Sequence, residues 1–326
     1  MAIQVGFVGA GGRARSHMRS LANMDGVEIA AICDVNAETA QSATEEFGGT
    51  AYTDYHEMLD KEELTAMYVV VPTFAHYDAE ILAAQKGIHL FLEKPVAPTM
   101  EKAVEIMDAI KGAGVLSCAG YQIRYAGGTQ QAKAFLEGRT IGMAVAHRWG
   151  GLPGTPWWRV MEQSGGQLVE QTTHQVDLLR YLVGEIDEVH AYYALRTMAD
   201  VENLDIPDVY SLTFRFENGA VGSLSSCCAL REGGGNSGIN LILENMRVTV
   251  GGRDGMVVSP DEAADPGPVP EGRDIDEVFM EAVRTGDGSQ ILSDFEDGAR
   301  SLDVTLAANK SAETGKPEPT YFSTQK

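Results

Sequence analysis

The sequence predicts an α/β protein in which an N-terminal doubly wound parallel sheet is followed by a C-terminal α+β domain built on a largely antiparallel open sheet. Three observations predict it. From Ile3 to about Gln122, short apolar β-branched runs alternate with stretches of helical periodicity, the pattern of βα units. Beyond Arg124, alternating strands joined through an Asn-Gly pair replace that pattern, and Asn-Gly is the strongest short-range hairpin signal. A chain of 326 residues, 44% of them hydrophobic, is too long for one compact core and too apolar for disorder. Two domains are therefore expected, 1–122 and 123–326.

In the first half the expected strands are Ile3–Val8, Val27–Cys33, Ala66–Val71, His89–Leu92 and Val115–Gly120. Between them Arg13–Met24, Asn36–Phe47, His76–Lys86 and Met100–Lys111 carry apolar residues three and four apart, so each presents one face to the sheet. In the second half, strands are expected at Gly142–Trp149, Val189–Leu195, Val209–Phe216, Ala220–Leu230 and Ile239–Val250, with a long helix over Gln167–Leu182. Ser259–Arg273, rich in Pro, Gly and acid, reads as a surface loop, and Ile275–Arg284 and Asp294–Ala312 as helices.

Charge excludes several function classes. With 25 Lys and Arg against 47 Asp and Glu, the net charge of −22 repels nucleic acid and anionic membranes alike. No apolar stretch approaches the roughly 20 residues that span a bilayer, and no basic leader precedes the first strand, so a cytoplasmic protein is expected. The four cysteines show no CxxC spacing, and neither a disulfide framework nor a structural metal site is indicated.

The segment VGFVGAGGRA places Gly9, Gly11 and Ala14 in a G-x-G-x-x-A arrangement at the junction of an expected strand and helix. Gly9 permits the turn, Gly11 lets backbone approach a pyrophosphate, and Ala14 allows close packing of helix on strand. With Gly12 and Arg13 this loop is the expected dinucleotide site of a Rossmann domain. Asp34, twenty residues beyond Ala14, closes the second strand, where a carboxylate accepts hydrogen bonds from ribose hydroxyls and repels a 2′-phosphate. NAD is expected over NADP, although Arg13 and Arg15 are near enough in sequence to offset that repulsion. Asp34 also stands where it would cap the helix beginning near Asn36.

Further on, VVVPTFAHYDAEILAAQKGIHLFLEKPVA resembles the corresponding stretch of the glucose–fructose oxidoreductase / inositol dehydrogenase / MocA family. Pro72 and His76 hold the family positions, Val71 stands where Thr is usual, and Glu93-Lys94-Pro95 is intact. With the glycine loop and the later GGQLVEQTTHQVD, the resemblance spans nearly the whole chain. It implies that Pro72, Thr73, His76, Glu93 and Lys94 border the cofactor, that the Lys94-Pro95 peptide is cis, and that Lys94 reaches the reacting oxygen. An ammonium at that point stabilises developing negative charge.

In the second half Glu170, His174 and Asp177 stand at i, i+4 and i+7, along one face of a regular helix. A histidine flanked by carboxylates is a proton shuttle in outline, one acid fixing the tautomer while the other ring nitrogen faces substrate. The same three groups would equally serve as a salt-bridge network or, by ligand type, a divalent metal site. The resemblance implies the shuttle, with Glu170 replacing the family's usual Asp and Thr172 its usual Gly. It also implies that Arg124 and Tyr125 border the substrate, with Ala126 replacing a usual Pro. Trp158 and Arg159 are further candidates, since aromatic faces stack on sugar rings.

The expected activity is hydride transfer between a nicotinamide cofactor and a hydroxyl carbon of a sugar, polyol or related small molecule. His174 would take the hydroxyl proton, Lys94 would steady the oxygen, and Glu170 and Asp177 would orient histidine and substrate. Two rivals remain open: an NAD-recycling lyase or glycosidase acting through transient sugar oxidation, and a non-catalytic nucleotide-sensing regulator. An uncovered sheet face in the second domain would make the protein a homodimer or homotetramer.

Overall fold

The computed structural model describes residues 2–251, 255–260 and 264–325. The chain divides into two units, one of Met1–Gly120 with Asp274–Gly298, the other of Tyr121–Arg273 with Ala299–Lys326. This differs from the expected cut at 122/123, because a segment far down the chain returns to the first unit. Part of the expected loop Ser259–Arg273, at 261–263, lies outside the described residues. Among the described residues no helix is long and apolar enough to cross a membrane.

The first unit is a six-stranded sheet of β1 (Ile3–Val8), β2 (Val27–Cys33), β3 (Thr50–Tyr52), β4 (Ala66–Val69), β5 (His89–Leu92) and β6 (Ser117–Ala119). Their order is β3-β2-β1-β4-β5-β6 and every pairing is parallel, which is the doubly wound layout expected. The three-residue β3 and the helix Tyr55–Lys61 escape sequence reading because each is too short to show a period.

Aromatic rings fix the middle of this sheet. Phe7, Tyr68 and Phe91 are register partners on β1, β4 and β5, and their rings stack at 4.9 and 4.5 Å. Phe279, from the returning helix Ile275–Thr285, meets Tyr68 edge-on at 5.8 Å and lies 5.7 Å from Phe91. Each of these four side chains is fully buried. Desolvating large rings is the term that draws the late segment back.

The second unit carries an eight-stranded sheet of β7 (Ile141–Trp149), β8 (Ile186–Ala194), β9 (Val209–Phe216), β10 (Val221–Cys227), β11 (Asn236–Leu243), β12 (Met246–Val250), β13 (Met256–Ser259) and β14 (Glu318–Pro319). The order is β13-β12-β11-β7-β10-β9-β8-β14, with only β7 and β10 parallel. The Asn-Gly hairpin forms as expected between β9 and β10, with Gly219 at φ +90°. The expected strand Ile239–Val250 is instead two strands, turned at Asn245, which takes the left-handed region that asparagine tolerates. Gly127–Leu136 is an unexpected helix, masked in the sequence by two glycines at its start. A Cβ at Gly127 would lie 2.0 Å from the Pro270 carbonyl, so packing requires glycine there.

One face of this sheet is covered. Ala144, Leu212, Leu224 and Leu241 pack with Leu168, Val176, Leu179 and Ala308 in a continuous apolar cluster. The sequence places these strand residues in alternation, which is why a single face is apolar.

Candidate active site

The glycine loop sits where the strand order reverses between β1 and β4. Gly9 takes φ +95°, and a Cβ there would lie 2.1 Å from the Val70 carbonyl, so only glycine fits. At Gly11 and Gly12 a Cβ would meet nothing within 4 Å, leaving open space in front of the loop. The helix Gly12–Leu21 that follows has no side-chain cap and no acid in its first turn. Its first N–H groups and the positive end of its dipole suit a pyrophosphate. The loop therefore fits a dinucleotide.

Asp34 braces this loop from the side. Its carboxylate accepts from the Ala10 N–H and the Asn36 N–H, each at 2.9 Å. It does not cap the next helix; Asn36 does, accepting from the Thr39 N–H at 3.1 Å. The two arginines near the loop are occupied elsewhere. Arg13 Nε pairs with Glu93 at 2.6 Å, and Arg15 pairs with Glu46 and donates to Ser42.

Glu93 is the hub of a buried network at the end of β5. It accepts from Arg13 and from its neighbour's backbone, Lys94 N–H, at 3.0 Å. His17 Nε2 lies 3.1 Å from Glu93 while its Nδ1 lies 2.7 Å from Asp276. Burial opposes charge on this imidazole, yet the hydrogen bonds to Asp276 and Glu93, together with their charges, push its pKa up to about 9. Burial would raise the Glu93 carboxyl, but the His17 hydrogen bond and the positive Arg13, His17 and Lys94 bring it down to about 2. A Cβ on Gly120 would come within 2.8 Å of the carboxylate, so the pocket for it is tight. Glu93, expected at the cofactor border, is bonded within the first unit to these partners. Its oxygens hold the backbone of Lys94 and the first helix, and it acts by position.

Lys94 is half-buried, and its peptide to Pro95 is cis, as the resemblance implies. Pro72 precedes the 3-10 turn Thr73–Ala75 just past β4, with Thr73 buried. His76 is buried and its Nδ1 lies 2.6 Å from the wholly buried Glu80.

In the second unit the expected regular helix over Gln167–Leu182 is broken in character. Leu168–Thr172 is a π-helical segment, followed by the α-helix Thr173–Val183. A π turn holds more residues than an α turn, so i, i+4 spacing does not by itself fix where Glu170 stands relative to His174. Glu170 and Asp177 are buried, and His174 is half-buried.

Asp177 is clamped by Arg124, whose Nε and Nη2 donate at 2.9 and 2.6 Å, and by the Ser301 hydroxyl at 3.0 Å. Arg124 and Asp177 are 3% and 2% exposed at their side chains, so this is a buried ion pair. Arg124, expected at the substrate, and Asp177, expected to orient histidine and substrate, are thus paired with each other in the interior of the second unit. Ser301 also accepts from Arg180 Nη1 at 2.7 Å, extending the network to Glu185.

Tyr121, which sequence reading missed, stands edge-on to the His174 ring at 5.9 Å and shares a hydrogen bond of 2.9 Å with Thr173. It is fully buried, and burial raises its pKa, so it stays a neutral phenol. It is a ring guide for the histidine. Its only sequence signal is its place directly after the last strand of the parallel sheet. His17 had a clearer signal: it falls among Ala14, Met18 and Leu21 on the buried stripe of its helix, where a polar group requires partners.

Tyr125 is buried, and its carbonyl accepts from the Arg273 N–H at 3.0 Å. Trp158 and Arg159 lie on the 3-10 turn Pro156–Arg159, half-buried, with the Trp157 and Trp158 rings stacked at 5.7 Å. Both Trp158 Nε1 and Arg159 Nε are buried without a hydrogen-bond partner. Among the described residues no group of three His, Cys, Asp or Glu is placed to hold a metal ion.

Comparison with known proteins agrees with this architecture. Residues 3–121 match the model of an oxidoreductase family with an NAD-binding Rossmann fold, and residues 129–258 match the GFO/IDH/MocA C-terminal domain. The chain is 28% identical over 261 residues to the levoglucosan dehydrogenase of Pseudarthrobacter phenanthrenivorans, covering 69% of this chain and 67% of that one. It is 26% identical to the myo-inositol 2-dehydrogenase of Thermotoga maritima, over 95% and 96% of the two chains. Among solved structures, the WlbA dehydrogenase from Bordetella pertussis in complex with NADH and UDP-GlcNAcA is similar, with TM-score 0.84, 25% identity, and 98% and 99% of the chains covered. Two family models in tandem, over the fold and glycine loop described above, place the chain in the Gfo/Idh/MocA oxidoreductase family.

Proposed function

We propose that this chain is an NAD-dependent dehydrogenase acting on a CH–OH group of a sugar, polyol or related small molecule. One observation carries the reading: Lys94 stands at the carboxyl end of β5 with its backbone tied to a buried acid, in a sheet whose glycine loop presents an uncapped helix end. The similar proteins named for levoglucosan and myo-inositol support the substrate class.

Gly9, Gly11, Gly12 and Asp34 hold the cofactor, with Pro72, Thr73 and His76 along its border. NAD rather than NADP is favoured because Arg13 and Arg15 are paired with Glu93 and Glu46, leaving the carboxylate of Asp34 to repel a 2′-phosphate. Bound NAD supplies the hydride acceptor. His174 accepts the hydroxyl proton, and its ring is set by Tyr121. The Lys94 ammonium stabilises the negative charge that develops on the substrate. Glu170 steadies the imidazolium as it forms, and Trp158 and Arg159 hold the sugar. Met143 and Val221, register partners on neighbouring strands, are 42% and 52% exposed on the uncovered sheet face, which favours a homodimer or homotetramer joined there.

The test is a screen of sugars and polyols for NADH absorbance with both cofactors. NADH formation with NAD is expected, and Lys94→Ala lowers kcat by about a thousandfold while the NAD dissociation constant stays within about threefold. Equal loss of turnover and NAD affinity would make Lys94 a cofactor residue. Product formation without net NADH selects the recycling lyase or glycosidase, and NAD binding without turnover of any substrate selects the regulator.

A further inference from the structure

A polar row crosses the second sheet at the end of its apolar core. Ser237 on β11, Arg148 on β7, Ser226 on β10, Tyr210 on β9 and Tyr193 on β8 are successive register partners. Two residues earlier along β7, Ala146 is flanked by Ile239 and Leu224 and belongs to the core, so by strand alternation the row points to the same, helix-covered side. The segment that carries Glu170 rests on it at two points. Ser226 Oγ lies 2.7 Å from Thr172 Oγ1, and the Tyr210 hydroxyl accepts from the Gln167 N–H at 3.1 Å. Arg148 is therefore next in the row to the hydroxyl under Thr172, two residues from His174.

Arg148 has no counter-charge there. Its Nη1 is buried without a hydrogen-bond partner, and among the described residues no carboxylate pairs with it. The groups that act on it electrostatically are the thiols Cys227 and Cys228. Burial, with Asp208 and Cys227, pushes the Cys228 thiol up to about 12, so it is neutral. The Asp208 carboxylate accepts from the backbone of Arg196, Thr197 and Met198 and is committed to that turn. A guanidinium is always charged, and half-buried Arg148, with its Nη1 buried and unpaired, keeps donor capacity for an acceptor. The buried arginines Arg124 and Arg180, by contrast, are each paired with a carboxylate.

We propose that Arg148 recognises an anionic oxygen group, a carboxylate or a phosphate, on the substrate. This rests on the dehydrogenase reading of the same site. A planar guanidinium receives either group through two parallel N–H donors, which a neutral hydroxyl cannot match. A net charge of −22 disfavours an acidic ligand in general, so binding one calls for a local cation.

The test compares D-glucose, D-glucuronate and D-glucose 6-phosphate as substrates with NAD. For the wild type, kcat/KM with glucuronate or the phosphate exceeds that with glucose by about thirtyfold or more, and which of the two leads tells carboxylate from phosphate. In Arg148→Gln that ratio falls to about one, and Arg148→Lys keeps part of it. A ratio near one in the wild type, or a ratio unmoved by Arg148→Gln while both activities fall together, overturns the proposal and leaves Arg148 structural. If none of the three is oxidised, the melting temperature of the NAD-free protein is read with glucuronate and with inorganic phosphate. A rise in the wild type that is absent in Arg148→Gln upholds the anion site although the dehydrogenase reading has failed. No difference between the two proteins overturns the site.

Discussion

In the first unit the buried charges gather around a histidine, with His17 between Glu93 and Asp276, whereas in the second they gather around two guanidiniums, Arg124 and Arg180, joined through Asp177 and Ser301. Each network adjoins a residue expected to do chemistry: Glu93 accepts from the Lys94 N–H, and Asp177 and Arg180 share the helix of His174. They differ in what can remove the positive charge. An arginine keeps its proton at any pH a protein survives, so the positive charge of the clamp on the His174 helix is not lost in alkali. A histidine held at about 9 surrenders its proton in mild alkali, so the support under Lys94 is conditional. One residue of the reaction stands on a permanent brace and the other on a titratable one.

Breaking the permanent brace has the largest expected effect. Arg124→Met leaves Asp177 buried without its cation and lowers stability by about 3–5 kcal/mol, read by denaturant unfolding, while Arg124→Met with Asp177→Leu recovers most of that loss. A loss below about 1 kcal/mol would mean that water reaches the pair and that the two networks differ less than their burial suggests.

The second prediction concerns the titratable brace. Because the folded His17 pKa is raised from 6.5 to about 9, its contribution is fully present below about pH 6.5 and disappears as pH rises through about 9. The amount is roughly 3 kcal/mol. Wild type minus His17→Gln, measured as unfolding free energy at pH 6.5 and pH 10, should therefore shrink by that order across the window. Glu93 works in the opposite sense: with its pKa lowered to about 2, its contribution is present above about pH 4.5 and is lost as pH falls through about 2. A pH-independent difference for His17→Gln would abolish the contrast between the two units.

The smallest expected effect is at the glycine loop. Asp34→Ser removes the carboxylate that braces Ala10 and that is proposed to discriminate at the ribose, and it should narrow the kcat/KM preference for NAD over NADP by about tenfold, or about 1.4 kcal/mol. An unchanged preference would assign discrimination to another group.

The legible parts of this molecule are those written in short spacings. The G-x-G-x-x-A loop, the parallel strands and the β9–β10 hairpin each depend on residues a few positions apart, and each forms where expected. What depended on distant partners was hidden. Nothing near Phe279 says that its ring closes on Tyr68, and nothing near Arg124 says that Asp177 will neutralise it. The reading of Glu170, His174 and Asp177 as one stripe assumed a uniform α period, from which the five π-helical residues Leu168–Thr172 depart. Arg148 gave no local signal because its meaning comes from the strands on either side.

The returning segment 274–298 has a consequence for how the protein is made. When Gly120 leaves the ribosome, the first unit still lacks Asp276 and Phe279, and about 150 further residues must be translated, roughly 10–30 s at ordinary elongation rates, before they emerge. During that interval the ring stack of Tyr68 and Phe91 is open on one side and His17 has one acid in place of two. The nascent chain must wait, half assembled, for its own last quarter, and a gene fragment cut at residue 122 would wait indefinitely.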